Sequence, residues 1–344
     1  MNRPPRIGII GVGGIAGLHR EGYLAAGADV VALADVHAPT LAARAGAWGV
    51  TRTYPDYHDM LATEDLDAVS ICAPTAVHHP ATLAAAAAGV HVLCEKPIAL
   101  DLEQADDMIA TCRRAGVVLM VNHQLRSHAA GDLARRMLAA GDLGTLTHVR
   151  LRQAHDWAGA REVKPSFATR VLAGGGTLLD NGCHLMDLAR YLGGDVAEVF
   201  ARVAHRKFDV EVEDTGHVSL AFESGAIGTV EVAWTATGWE EGWWLYGSEG
   251  TFEYTNRTGV PVVRHAHRTS PGTTWGDTDV SEHRFAGASA HARHVLAFLA
   301  AVRGEREVAC TGEDGREAVR LVLASYASAE SGRPVSARQD FDPL

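Results

Sequence analysis

The chain has 344 residues, a hydrophobic fraction of 47% and a formal net charge of -11. That length suits two globular domains, and the composition excludes disordered and fibrous classes. A negative charge with no basic patch to offset it argues against nucleic acid or an anionic membrane as a partner. No apolar run approaches the roughly 18 residues that a membrane-spanning helix needs.

The cysteines are five in number, scattered, and without a CxxC pair: Cys72, Cys94, Cys112, Cys183 and Cys310. This pattern favours neither a disulfide framework nor a zinc site, so we expect a reducing cytoplasm. The N-terminal apolar segment is broken by glycines, unlike a secretory signal. Histidine pairs occur at 78–79 and at 291 and 294, but no carboxylate and cysteine set completes a site, so no metal is expected.

The first part of the chain alternates short apolar strands with helix-compatible stretches. We predict strands at Ile7–Ile10, Val30–Leu33, Ala68–Ala73, Val90–Leu93 and Val117–Val121, and helices at 15–26, 38–48, 78–88 and 101–115. Continuous apolar strands separated by helices are typical of a parallel sheet covered on both faces. The pattern predicts a doubly wound α/β domain over residues 1–122.

The second part, residues 123–344, has a different pattern. Its predicted strands mostly alternate apolar with polar residues and are joined by short turns, at 145–154, 196–207, 214–223, 226–235, 243–247 and 250–255. Such alternation indicates an antiparallel sheet. Helices are expected near 178–192, 288–303 and 313–330, covering one face of this sheet.

A glycine-rich turn follows the first predicted strand, in the segment IGIIGVGGIA at positions 7–16. Gly11 permits the tight turn, Gly13 lets the backbone approach a pyrophosphate, and Ala16 keeps the next helix close to the strand. Asp35 ends the second strand, where a carboxylate accepts hydrogen bonds from the adenosine ribose. No arginine or lysine occurs in the next eight residues, so the pattern predicts NAD rather than NADP.

Two further segments end strands at the carboxyl edge, where open α/β sheets place ligands. One is PTAVH at 74–78, and the other is the turn Glu95-Lys96-Pro97. Lys96 is either a solvated surface residue or a group that transfers a proton, or binds the reacting oxygen, beside a nicotinamide. Pro97 permits a cis peptide that aims this side chain.

The segment GGGTLLDNGCHLMD at 174–187 indicates a glycine loop that leads into a helix. Asp180 and His184 are four residues apart, so they share a helix face with Asp187 and Tyr191. In one interpretation this face is a solvated polar stripe. In the other, His184 is a proton carrier that Asp180 orients and tunes.

Three segments together resemble the signatures of the glucose–fructose oxidoreductase / inositol dehydrogenase / rhizopine catabolism (Gfo/Idh/MocA) family: GVGGIAGLH, PTAVHHPATLAAAAAGVHVLCEKPIAL and GGGTLLDNGCHLMDL. The resemblance covers nearly the whole chain. It implies a Rossmann domain and an α/β domain whose large, mostly antiparallel open sheet forms dimer or tetramer contacts. It also implies reversible NAD-dependent oxidation of a secondary alcohol on a pyranose sugar, a sugar derivative or a cyclitol. Lys96, Asp180 and His184 match the family's catalytic residues.

In the mechanism that this resemblance implies, the substrate hydroxyl bonds to Lys96 and His184. His184 takes the proton and Lys96 stabilises the alkoxide, although the two could exchange roles. Alternatives are a glycosidase that uses tightly bound NAD for a transient oxidation, and a non-enzymatic sensor of NAD or sugar. Retention of the three catalytic residues disfavours the sensor.

Substrate contacts are expected from Lys96, Asp180 and His184 and from three further residues. Arg126 matches a common family arginine, whereas His123 either donates to substrate or lies on the surface. Trp157 either stacks on a sugar ring or nicotinamide or packs in the core. The residues predicted to contact the nucleotide are Gly11, Gly13, Gly14, Ile15, Ala16, Asp35, Ala73, Pro74, Thr75, His78, Glu95 and Lys96.

Overall fold

The computed structural model describes residues 3–156, 163–257, 259, 261–268, 278–284 and 288–343. They form two compact units, one of Met1–Ser127 with Ala288–Val319 and one of His128–Gly287 with Arg320–Leu344. Residues 288–319, which the sequence analysis assigns to the second domain, therefore group with the first unit. Within the described part of the chain, no helix is long and apolar enough to cross a membrane.

The strands are numbered along the chain as β1 (Arg6–Ile10), β2 (Asp29–Ala34), β3 (Arg52–Tyr54), β4 (Ala68–Ile71), β5 (His91–Cys94), β6 (Leu119–Val121), β7 (Leu146–Ala154), β8 (Val196–Ala204), β9 (Thr215–Phe222), β10 (Ile227–Ala233), β11 (Glu240–Gly247), β12 (Gly250–Asn256), β13 (Val262–Arg268), β14 (Thr278–His283) and β15 (Val335–Ser336).

The helices are α1 (Ala16–Ala25), α2 (Ala38–Trp48), α3 (Tyr57–Thr63), α4 (Thr75–Ala87), α5 (Leu102–Ala115), α6 (Ala129–Ala140), α7 (Pro165–Ala168), α8 (Arg170–Ala173), α9 (Thr177–Gly193), α10 (Ala290–Val302) and α11 (Gly312–Ser331), with a 3₁₀ helix at Gln124–Ser127.

The first unit is built on a parallel sheet in the order β3-β2-β1-β4-β5-β6. This order confirms the predicted Rossmann fold and puts the change of winding direction between β1 and β4. Ligands of such sheets bind at the carboxyl ends of the strands at that point. The short elements β3 and α3 are absent from the prediction, because neither is long enough to show a clear period.

α10 belongs to the first unit, where it packs against α1. The expectation that it covers the second sheet is therefore wrong. Gly22 of α1 makes the close approach possible, since a Cβ there would lie 2.9 Å from Val295 of α10. The periodicity of α10 correctly indicates a helix with one apolar face, but periodicity does not identify the surface that this face covers.

The second unit is built on a sheet in the order β14-β13-β12-β11-β7-β10-β9-β8-β15. β7 and β10 are parallel and the other neighbours are antiparallel, which confirms the predicted, mostly antiparallel sheet. α9 packs on β7, β9 and β10. Gly216 of β9 lies beside both Leu178 of α9 and Val232 of β10, so the Val232 face of the sheet is the one that α9 covers.

Candidate active site

The glycine turn between β1 and α1 has the backbone that a nucleotide needs. Gly11 has a φ of +82°, in the left-handed region that favours glycine. A Cβ on Gly11 would also lie 2.6 Å from the backbone nitrogen of Ala73, whereas a Cβ on Gly13 or Gly14 would meet nothing within 4 Å. The turn is therefore closed against the end of β4 and open at Gly13 and Gly14. This arrangement fits a pyrophosphate at the N-terminus of α1, where Ile15 is the N-cap residue.

Asp35, directly after β2, is fixed by two backbone N–H groups. Val12 donates to Oδ2 and His37 donates to Oδ1, each over 2.8 Å. The first bond connects the carboxylate to the glycine turn. Asp35 therefore stands beside that turn, where the sequence analysis expects a ribose.

Arg44 of α2 is a residue that the sequence analysis missed. Its Nε donates to the carbonyl oxygen of Val12 over 3.2 Å, and its guanidinium lies 5.4 Å from the centre of the Trp48 ring. Arg44 is the ninth residue after Asp35, directly beyond the eight that contain no arginine or lysine. The helical fold of α2 brings this cation back to the glycine turn.

The connection from β4 to α4 carries three residues predicted to contact the nucleotide: Ala73, Pro74 and Thr75. His78, one helical turn further, is buried. Its Nδ1 lies 2.8 Å from the carbonyl oxygen of Pro97, and its Nε2 lies 2.9 Å from that of Ala73. Burial lowers the pKa of His78 despite these carbonyl groups. The imidazole thus ties the β4–α4 connection to the turn that contains Lys96.

Lys96 follows β5, and the Lys96–Pro97 peptide bond is cis. Its side chain is half-buried, so it is not a fully solvated surface residue. Its backbone N–H donates to Oε2 of Glu95 over 3.1 Å. Glu95 is only 6% exposed, so its carboxylate lies inside the unit.

His123 and Arg126 lie after β6, at and beside the 3₁₀ helix. His123 is 0% exposed, so its surface alternative is wrong. Arg126 forms a two-point ion pair with Asp314, with both N···O distances at 3.0 Å. Burial acts to raise the pKa of Asp314, but the Arg126 guanidinium and the bonds from Thr311 lower it. Arg126 therefore has a structural partner within the first unit, and its contact with substrate stays a prediction.

In the second unit, a carboxylate distant in sequence holds the start of α9. Gly176 N–H donates to Oε2 of Glu213 over 3.0 Å, and Leu178 N–H donates to Oε1 over 2.9 Å. The Tyr326 hydroxyl donates to the same Oε1 over 2.9 Å. A Cβ on Gly176 would overlap the carbonyl oxygen of Glu213, so glycine is needed for this close approach. Burial raises the pKa of Glu213 despite its donors.

Asp180 and His184 lie on successive turns of α9, as predicted. Trp234, which follows β10 and is completely buried, donates from Nε1 to Oδ2 of Asp180 over 3.2 Å. His184 is 5% exposed and Asp187 is 0% exposed. The interpretation of this face as a solvated stripe is therefore wrong. The Trp234 bond fixes one carboxylate oxygen one turn before the histidine.

The aromatic run at 239–244 is divided between surface and core, and Trp157 lies outside the described residues. Trp239 is exposed, whereas Trp243 is completely buried against Tyr254, with ring centres 4.3 Å apart. Glu241 is buried beside them and accepts from Gln153 over 2.8 Å and from Tyr254 over 3.1 Å. Strand alternation puts Glu241 on the same face of β11 as Trp243.

Two family models match the chain. The model described as an oxidoreductase family with an NAD-binding Rossmann fold matches residues 5–123. The model described as the GFO/IDH/MocA C-terminal domain matches residues 132–253. The NAD prediction is confirmed by the first match.

Similar proteins of named activity span nearly the whole chain. A 1,5-anhydro-D-fructose reductase of Ensifer adhaerens is 33% identical, over 95% of this chain and 97% of its own. A myo-inositol 2-dehydrogenase of Thermotoga maritima is 29% identical, over 96% of this chain and 98% of its own. A solved levoglucosan dehydrogenase in complex with NADH has a TM-score of 0.90 at 22% identity, over 98% of this chain and all of its own. The last similarity concerns the fold.

Proposed function

Since the chain belongs to the GFO/IDH/MocA family of NAD-binding oxidoreductases, we propose that it oxidises a secondary alcohol of a pyranose sugar, a sugar derivative or a cyclitol. The observation that carries this substrate class is the match to full-length relatives named for sugars and a cyclitol, at up to 33% identity. The catalytic residues of the family resemblance are all present in this chain, at Lys96, Asp180 and His184.

The first unit holds the cofactor. The backbone at Gly11, Gly13 and Gly14 and the N-terminus of α1 bind its pyrophosphate, and Asp35 binds its adenosine ribose. The nicotinamide, when bound, accepts the hydride from the alcohol carbon. The segment Ala73–Thr75 and the turn of Glu95 and Lys96 line the same carboxyl edge of the sheet and complete the cofactor contacts.

Lys96 and His184 supply the two functions that alcohol oxidation asks of the protein. One accepts the hydroxyl proton, and the other gives positive charge or a hydrogen bond to the oxygen as negative charge develops on it. Asp180 keeps the His184 imidazole in position, since the two share a face of α9 and Trp234 anchors the carboxylate. His123, Arg126 and Trp157 are proposed contacts of the sugar or cyclitol.

We also propose that the enzyme acts as a homodimer or homotetramer through the sheet of the second unit. The five cysteines are buried thiols, which supports the prediction of a reducing cytoplasm.

The substrate class is tested by measuring NADH formation across a panel of pyranoses, inositols and anhydrosugars, with NADP in parallel. We expect NADH from at least one compound and a slower reaction with NADP. Product without net NADH would favour the glycosidase alternative instead. Binding of NAD and sugars without any product would favour the sensor.

A further inference from the structure

One end of the second sheet, where β7 and β10 end and β11 begins, carries three residues with ring side chains. The last residues of β7 and β10 pair with each other, and the first residue of β11 pairs with the last residue of β7. His155 directly follows β7, Trp234 directly follows β10, and Trp239 directly precedes β11. The N–H of His155 donates to the carbonyl oxygen of Ala233 over 2.9 Å. The three residues therefore lie beside one another at this end of the sheet.

All three side chains are on the face of the sheet that α9 covers. Val232 is on that face, and side chains alternate along a strand, so Trp234 returns to it. The bond from Nε1 of Trp234 to Oδ2 of Asp180 on α9 agrees with this placement. The residues in line with Val232 on β7 and β11 are two positions from His155 and Trp239. Alternation therefore puts both of these side chains on the α9 face as well.

Trp239 differs from the other tryptophans of this face in its exposure. Trp234 and Trp243 are completely buried, whereas Trp239 is 46% exposed. The indole of Trp239 stacks on the imidazole of His155, with ring centres 5.5 Å apart and an angle of 6° between the planes. The imidazole supports one side of the indole, and much of the rest of this large apolar ring is open to solvent. Tryptophan is buried on average, so an exposed indole supported in this way fits a surface that binds a ligand.

We propose that Trp239, supported by His155, is the platform on which the ring of the substrate stacks, beside Asp180. The proposal rests on the proposed function and names a residue that determines its specificity. A pyranose or a cyclitol has hydroxyl groups around its rim and C–H bonds on its faces. The face of an indole is apolar and carries negative charge density, so it attracts the C–H face and leaves the hydroxyl groups to polar side chains. An open-chain polyol has no rigid C–H face and gains less from the platform.

The spacing of the strands brings the platform near Asp180. Neighbouring strands are about 4.8 Å apart, and β7 separates β11 from β10, so the backbones of Trp239 and Trp234 are roughly 10 Å apart. Trp234 holds the Asp180 carboxylate at its indole nitrogen. A single sugar ring that stacks on Trp239 and extends towards Trp234 therefore comes within reach of Asp180.

The same strand offers a matched control on the opposite face of the sheet. Trp244 of β11 is one position from Trp243, so it points away from α9. Its ring lies 4.8 Å from the guanidinium carbon of Arg150. Removal of the Trp244 indole changes the same strand without touching the proposed platform.

The test measures the affinity for sugars by isothermal titration calorimetry on the full chain saturated with NADH. Because NADH cannot accept a hydride, a bound alcohol is not oxidised and binding is measured alone. The ring compounds are myo-inositol and a methyl glucopyranoside, and glucitol is the open-chain polyol.

We expect Trp239→Ala to raise the Kd of the ring compound that binds best by about tenfold, because the stacked ring loses its partner. Trp239→Phe keeps an aromatic face and should stay within about threefold of the wild type. Trp244→Ala should keep the wild-type Kd. The wild type should bind the ring compound more tightly than glucitol, and Trp239→Ala should reduce that preference. An unchanged Kd in Trp239→Ala, or an equal rise in Trp244→Ala, would overturn the proposal.

If Trp239→Ala fails to fold, the wild type decides. Exposed indoles are labelled with an indole-selective benzyl bromide, with and without the ring compound, and the labelled sites are located by mass spectrometry. The ring compound should protect Trp239 and leave the labelling of Trp244 unchanged. Equal labelling of Trp239 in both samples, or no binding of any ring compound, would overturn the proposal.

Binding and turnover separate this inference from the proposed function. NADH formation from a ring alcohol whose affinity does not change in Trp239→Ala refutes this inference alone. A ring compound that binds through Trp239 but yields no NADH when NAD is supplied refutes the proposed function alone.

Discussion

Two buried carboxylates, Glu95 in the first unit and Glu213 in the second, differ in the direction of their pKa shifts. The pKa of Glu95 falls to about 2, because the His19 bond and nearby positive charge outweigh burial. The pKa of Glu213 rises, because its donors are two backbone N–H groups and a tyrosine hydroxyl, and burial outweighs them.

The difference shows that burial alone does not determine what a carboxylate does. Glu95 accepts from the backbone N–H of Lys96, so it holds the main chain of the turn that carries this lysine. Glu213 accepts from the first N–H groups of α9. It therefore satisfies donors at the start of the helix that carries Asp180 and His184. One carboxylate holds a strand-end turn and the other holds the start of a helix.

The largest effect on the reaction rate should come from removing the proposed catalytic side chains of Lys96 and His184. We expect Lys96→Ala and His184→Ala each to lower kcat by about 10²–10⁴, because each removes one partner of the proton or charge transfer. Initial rates measure the loss, and fluorescence titration with NADH provides the control. His184→Ala should bind NADH normally, since α9 lies outside the Rossmann unit. Nearly full turnover in either variant would contradict the catalytic role proposed for the substituted residue.

The pH dependence of stability tests whether Glu95 is ionised in the folded chain. Its pKa is about 2 in the folded chain and 4.5 without the fold, so ionisation adds about 3 kcal/mol to the free energy of unfolding. This stability is present above pH 4.5 and is lost as the pH falls towards 2. The deficit of Glu95→Gln, measured by urea unfolding, should therefore be largest near neutral pH and shrink in acid. A deficit that does not change with pH would refute an ionised Glu95.

Glu213 should show the opposite trend. Its pKa is raised above the 4.5 of the unfolded chain, so its contribution is fully present below pH 4.5 and is lost as the pH rises. In Glu213→Gln, the amide NH₂ faces a backbone N–H, so a donor meets a donor and both lose a hydrogen bond. These unsatisfied groups should lower the free energy of unfolding by about 1–3 kcal/mol. In the same urea experiment, this deficit should be larger near pH 4.5 than at neutral pH. A deficit that grows with pH would contradict the contrast.

Asp35 extends the comparison to a carboxylate on the cofactor side. We expect Asp35→Ser to lower the ratio of kcat/KM for NAD over NADP about tenfold, because it removes an acceptor for the ribose and a charge that repels a 2′-phosphate. The double variant Asp35→Ser, Arg44→Ala should lose the gain with NADP, since Arg44 stands beside the same turn. An unchanged ratio in the single variant would contradict the proposed position of the ribose.

The sequence predicts the first unit better than the second, for a physical reason. A parallel sheet is buried on both faces, so β1, β2, β4 and β5 appear as continuous apolar runs, and the glycine turn is a local requirement of the backbone. The packing partner of α10 is not predicted, because its apolar face does not identify α1 as the surface that it covers.

The contacts that hold α9 are not predicted from the sequence, for a similar reason. The glycines at 174–176 indicate a turn. The carboxylate that accepts hydrogen bonds at the end of this turn is Glu213, which tertiary packing brings there. The same holds for Trp234 and Asp180, which are 54 positions apart. Residue types and local spacing identify groups that carry chemistry, whereas the groups that position them are found only in the folded chain.

The most direct test of the proposed function is the yield of NADH per carbonyl formed from the best compound of the panel. We expect one NADH for each secondary alcohol that the wild-type chain oxidises. Carbonyl or cleavage product that accumulates without net NADH would contradict it.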